Sequence, residues 1–120
     1  TVRIANVANK PVLASGIPAA VNDLTIEAGS SLTIVGNTIQ IAGTITNNGT
    51  FTLTDGTIEF TGTSAQTIAP DLFENNTIKD LIINNPSGVT LQGPLNISGI
   101  VTLQNGNLLS DGFLTLLSTH

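Results

Sequence analysis

The chain has no Cys, Met, Trp or Tyr, and only four Phe among 120 residues. Without Cys there are no disulfides, thiolate metal sites or thiol nucleophiles. With so few aromatics, the core has to be assembled from Val, Ile, Leu and Ala within a hydrophobic content of 40%. Charge is also scarce: Asp, Glu, Lys and Arg together make up 9% of the chain, against about 25% in an average globular domain. Arg3, Lys10 and Lys79 are the basic residues, and the net charge is −5. A nucleic-acid partner is therefore disfavoured, because phosphates are neutralised by Lys and Arg. Low charge combined with substantial apolar content is the reverse of a disordered composition. No apolar run approaches the roughly 20 residues of a membrane-spanning helix. No secretory leader is recognisable at Thr1, so the expectation is a mature fragment or an excised domain.

The positive signal is a short apolar–polar–apolar triplet. Leu24-Thr25-Ile26, Leu32-Thr33-Ile34, Ile39-Gln40-Ile41, Phe51-Thr52-Leu53 and Ile58-Glu59-Phe60 form a first series. Leu81-Ile82-Ile83, Val89-Thr90-Leu91, Leu95-Asn96-Ile97 and Val101-Thr102-Leu103 form a second. Alternation at a period of two puts the outer residues on one side of a strand and the middle one on the other. The β-branched content favours strand, and no i, i+3, i+4, i+7 pattern competes. Triplets recur about every six to eight residues, with Ala28-Gly29-Ser30, Val35-Gly36-Asn37, Asn47-Asn48-Gly49, Asp55-Gly56 and Gln104-Asn105-Gly106 between them. Asn-Gly and Asp-Gly accept positive φ at low cost. Asn-Gly also marks two-residue hairpins, but three-residue strands suit the faces of a solenoid better. Three such faces close a coil of roughly twenty residues, within the range of repeat architectures.

The expectation is an all-β chain folded as one parallel β-solenoid over residues 1–120, with a degenerate internal repeat in which 21–60 resembles 78–110. Val21-Asn22-Asp23-Leu24-Thr25-Ile26 matches Ile78-Lys79-Asp80-Leu81-Ile82-Ile83, and Gly49–Gly56 matches Gly99–Gly106. The offset falls from 57 to 50 between these blocks, as though one face unit near Asn37–Gly43 had no counterpart. Stacked arrays tolerate such a change more readily than closed barrels do. Leu24, Ile26, Leu32, Ile34, Phe51, Leu53, Leu81, Ile83, Val89, Leu91, Val101 and Leu103 are expected to point inward. Thr25, Thr33, Gln40, Thr52, Glu59, Thr90, Asn96 and Thr102 are expected to point outward.

The residues also carry a family resemblance. Asn9-Lys10-Pro11-Val12-Leu13, Asp23–Ile34, Gly43–Phe51, Gly56–Gly62, Ala65–Ile68, Phe73–Asn85 and Gly88–Leu91 together resemble the β-helical regions of large cell-surface adhesins of Bacteroidetes-type bacteria, exported by type IX secretion. The resemblance implies a right-handed parallel β-helix, an extracellular, cell-surface location and a part in adhesion or gliding. It carries over no catalytic residues. Because Thr1–Ile4 and Phe113–Leu117 both read as strands with no capping helix, the expected partners are the remainder of a larger parent chain or neighbouring solenoid ends, with surface glycans as a further candidate.

No catalytic, cofactor or metal residue is expected. Lyase and hydrolase chemistry needs clustered carboxylates, whereas Asp23, Glu27, Asp55, Glu59, Asp71, Glu74, Asp80 and Asp111 are scattered. Asp23 and Asp80 precede equivalent strands and read as turn-stabilising residues. The lone His120 is terminal. For calcium, Asp71 and Glu74 are the best local pair and Asp55-Gly56 and Ser110-Asp111-Gly112 lie in turns, but the calcium-binding repeats are missing. Three formal glycosylation sequons, at Asn48, Asn75 and Asn96, are read as incidental. A flat Thr face would bind ice or glycan; Thr44-Ile45-Thr46 and Thr50-Phe51-Thr52 qualify locally, while Gln40, Glu59 and Asn96 are expected to break the outward row.

Overall fold

The computed structural model describes residues 2–4, 12–13 and 19–117. His120 and the stretch 9–11 lie outside them. The described strands are β1 (Val2–Ile4), β2 (Val12–Leu13), β3 (Ala19–Val21), β4 (Leu24–Ile26), β5 (Ser31–Ile41), β6 (Ile45–Asn47), β7 (Thr50–Phe60), β8 (Gln66–Ile68), β9 (Thr77–Asn84), β10 (Val89–Leu91), β11 (Leu95–Ile97), β12 (Val101–Asn105), β13 (Leu108–Leu109) and β14 (Leu114–Leu116). Every pairing among them is parallel and joins one coil to the next. The chain is a β-solenoid of about five turns.

Each turn has three sides. The first face carries β1, β4, β6, β8, β10 and β13. The second carries β2, the opening halves of β5, β7 and β9, then β11 and β14. The third carries β3, the closing halves of β5, β7 and β9, then β12. The two longest strands, β5 and β7, thus run through a corner. The ladder between them shifts register at Val35, and Gly36 takes φ 60° there, a left-handed value that glycine accepts without strain. Coil length follows the register. Leu24 lies beside Ile45, Thr33 beside Thr52 and Gln66 beside Val89, close to the expected twenty residues.

The triplets face as anticipated over most of the length. Leu24, Ile26, Leu32, Ile34, Phe51, Leu53, Leu81, Ile83, Val89 and Leu91 are buried, together with Ile39, Ile41, Ile58, Phe60, Leu95 and Ile97. Burying each such side chain contributes roughly 1.5–3 kcal/mol relative to exposure. Leu103 departs from the expectation: it faces inward in register with buried Ile83 but is 58% exposed, because no described rung lies beyond it. Val101 is half-buried for the same reason.

The two matching hexapeptides occupy different faces. Leu24–Ile26 belongs to the first face and Leu81–Ile83 to the third. They share a corner motif, placed at different corners of the coil. Above Asp23, Gly43 N–H donates to Asn22 O at 2.7 Å and Thr44 N–H to Asp23 Oδ1 at 2.9 Å. Above Asp80, Gly99 N–H donates to Lys79 O at 2.7 Å and Ile100 N–H to Asp80 Oδ1 at 2.8 Å. A Cβ on Gly43 or Gly99 would collide with that aspartate and with the backbone behind it. The aspartates do act as turn residues, but the turn each one secures belongs to the next coil.

Candidate functional site

The outward row of the first face runs Thr25, Thr46, Thr67 and Thr90 in consecutive coils. The row is therefore not interrupted by Gln40, Glu59 or Asn96, as the sequence had suggested; those residues stand on other faces. Thr33 and Thr52 are neighbours on the second face, where Asn96 lies between Thr77 and Thr115. Gln40 and Glu59 are neighbours on the third. Triplet spacing alone does not reveal which face a triplet occupies, because corners vary in length.

Glu59 is buried against its row. Its Oε1 accepts from Gln40 Nε2 at 3.2 Å and its Oε2 from Asn84 Nδ2 at 3.1 Å, so one carboxylate ties three coils. Asp55 Oδ1 lies 3.7 Å from Lys79 Nζ at an exposed corner, where such a pair contributes little. Thr44 donates to Asp23 through both its N–H and its hydroxyl, and this holds the Asp23 carboxyl below the ordinary carboxylate value.

Asp71 and Glu74 lie on the loop between β8 and β9, where Asp71, Asn75 and Asn76 all have positive φ. Asp71 Oδ1 accepts from Asn76 Nδ2 at 3.2 Å, and Glu74 Oε2 accepts from the Thr52 hydroxyl at 2.7 Å. Asp71 thus serves its own loop, and Glu74 ties that loop to β7 of the preceding coil. No group of three or more His, Cys, Asp and Glu suited to a metal ion occurs among the described residues. The loop also carries Leu72 and Phe73, both buried, with the Phe73 ring centred 5.4 Å from that of Phe51. Irregular backbone hid these two core residues from a reading based on alternation.

One element was missed because its first inward residue is polar. In β8 the core positions are Gln66 and Ile68. Here the first face divides, since β6 and β8 are not hydrogen-bonded to each other. The ladder bonds of Leu24 N–H to Thr44 O and of Asn48 N–H to Ile26 O direct the alternate groups, on Ile45 and Asn47, towards β8. By the same alternation Thr67 presents its N–H and C=O towards β6. A cleft of about 230 Å³ lies between them, lined by residues from Ala42–Ile45 and Ser64–Thr67 together with Ala69.

Gln66 closes the inner side of this cleft. Its Nε2 donates to Ile41 O at 3.0 Å and Gly43 O at 2.9 Å, while its Oε1 accepts from Gly62 N–H at 3.0 Å and Asn85 Nδ2 at 2.9 Å. The amide thus uses both donors and both acceptor sites. The cleft cannot admit an extended strand. Ile41 pairs with Phe60 on one side of it and Leu53 with Ile78 on the other, so the rise per turn stays near one strand spacing of about 4.8 Å.

No family model matches the chain, and neither a curated protein nor a solved structure does.

Proposed function

We propose that this chain is a non-catalytic structural module of a secreted bacterial surface protein, serving as a stiff spacer or fibre segment. The observation that carries this reading is one aliphatic core running through all the well-covered coils, flanked by second- and third-face ladders continuous from β5 to β9 and beyond. Such a stack conveys length and stiffness along its axis. The outward surface supports it: Thr, Asn and Ser dominate, and three of the four phenylalanines, Phe51, Phe60 and Phe73, point into the core, leaving a single exposed ring, Phe113, where a sugar platform would need more. Cell-surface placement and the adhesin context follow from the family resemblance and are part of the same proposal. The partners are then the rest of a parent chain or another solenoid end.

A second reading, recognition of glycan or ice, is favoured by the four threonines that follow one another on the first face before Leu109 takes the next outward position. The division between β6 and β8 weakens it. That division separates Thr25 and Thr46 from Thr67 and Thr90, leaving two pairs instead of one regular array. Glycan-array binding and ice-growth assays on the purified chain test the choice. The spacer reading expects no saturable binding and unaltered ice growth. Tight binding abolished by Thr46→Asp or Thr67→Asp would replace it with the second.

A further inference from the structure

We propose that the cleft between β6 and β8 is a water-binding site, in which fixed water molecules bridge the two strands and stand in for the ladder bonds that the first face lacks there. The cleft lies inside the stack, and every residue from 42 to 69 is described. Leu24 pairs with Ile45 at an interval of 21 residues, and the same interval leads from Thr46 to Thr67. In that register a parallel ladder would run from Thr67 N–H to Ile45 O and from Asn47 N–H to Thr67 O. Neither bond forms, since β6 and β8 are not paired. The side chains at hand are engaged elsewhere: Gln66 Nε2 with Ile41 O and Gly43 O, and Asn47 with Leu72 O and Gly49 N–H.

Two donors and two acceptors of the main chain therefore flank the cleft in ladder order, and such groups pair with water where the chain supplies no partner. A bound water needs two to four polar partners and room for itself. At about 30 Å³ per water, a cleft of about 230 Å³ has space for several. Gln66 shows the same replacement made by a side chain. In this register the N–H of Ala65 would serve Gly43 O; Gln66 Nε2 serves it instead, at 2.9 Å.

The lining selects water over other small ligands. It carries no charged side chain, so nothing in it selects an ion, and no aromatic side chain, so a sugar ring finds no flat face to lie on. Water both donates and accepts, and it is small enough to sit singly between Thr67 N–H and Ile45 O and between Asn47 N–H and Thr67 O. Bridges of this kind are nearly as favourable in enthalpy as direct bonds.

Water-to-amide cross-relaxation in the nitrogen-15-labelled chain tests the proposal. It is measured on the parent and on Thr46→Val with Thr67→Val, so that exchange through the hydroxyls cannot pass for bound water. The expected result is direct transfer from water to the Thr67 and Asn47 amides, with the negative NOE of a slowly tumbling pair, in both proteins. Hydrogen exchange at these two amides should be about a hundredfold faster than at Ile58 and Ile82, which lie in the ladder joining the same two coils on the third face. Exchange as slow as at Ile58 and Ile82 overturns the proposal, because β6 and β8 would then bond directly. Fast exchange without the negative NOE overturns it too, because the cleft would then hold only bulk solvent. Either failure leaves the spacer reading standing, because that reading fails separately, by specific ligand binding in the assays above.

Discussion

Replacing Gln66 by Leu keeps a side chain of similar size facing the core but removes an amide that makes four hydrogen bonds. The change leaves Gly43 O and Gly62 N–H without that partner, while Ile41 O keeps Thr61 N–H at 2.8 Å and Asn85 Nδ2 keeps Ser64 O at 2.7 Å. A buried polar group left unsatisfied costs about 1–3 kcal/mol. Water entering from the cleft relieves part of this, so the expected loss is about 3 kcal/mol rather than the full sum. For a domain of this size such a loss lowers Tm by roughly 10 °C. Gln66→Glu gives a sharper test. Its carboxylate still accepts from Gly62 N–H and Asn85 Nδ2 but cannot donate to the two carbonyls. Protonation restores a donor, so this variant's folded-state carboxyl should titrate above the ordinary glutamate value. Relative to the parent it should be least stable at neutral pH and should recover as pH falls through that value. Urea denaturation of parent, Gln66→Leu and Gln66→Glu at pH 7 and pH 5 measures both effects. A Gln66→Leu variant within about 0.5 kcal/mol of the parent, the usual range for surface changes, would refute the reading that the four bonds of this amide help hold the coils together at the cleft.

Phe73→Ala removes a ring packed against Phe51 from a fully covered part of the core. Its expected cost is about 3–5 kcal/mol by chemical denaturation, and a loss under about 1 kcal/mol would mean that the loop carrying it is not part of the core. Asp23, whose carboxyl is held low by Thr44, should contribute stability above the ordinary carboxylate value of 3.8 and lose it as pH falls through its lower folded-state value. Thermal melts from pH 5 to pH 2.5 should therefore decline less steeply for Asp23→Asn than for the parent; equal slopes would argue against the Thr44 contacts.

Most of the fold was legible because burial in a solenoid writes the same three-residue pattern repeatedly. Leu24-Thr25-Ile26 and Val89-Thr90-Leu91 needed no tertiary information to be read as rungs. The common role of Asp23 and Asp80 was also visible, as a shared hexapeptide, although its partners one coil away were not. Gln66-Thr67-Ile68 did not stand out as a triplet because a glutamine stood where the pattern requires an aliphatic, and the four partners that make it tolerable come from other coils and corners. Phe73 escaped because positive φ at Asp71 and Asn75 breaks the alternation around it. The alignment of Thr25, Thr46, Thr67 and Thr90 along the axis was hidden for a geometric reason. Gln40 and Glu59 interrupt the threonines along the chain but not along the axis.

The divided first face bears on how the molecule responds to load. Opening the cleft between β6 and β8 breaks no main-chain hydrogen bond, whereas separating the same coils on either other face breaks a ladder. Elastic resistance is therefore uneven around the axis. Flexure that gapes the first face is opposed there mainly by the side chains of Gln66 and Asn47, the latter through Nδ2 to Leu72 O at 2.6 Å. Flexure in the opposite sense compresses packed side chains. A filament built from such units would curve more easily in one direction than in the others, with the threonine row on the outside of the curve.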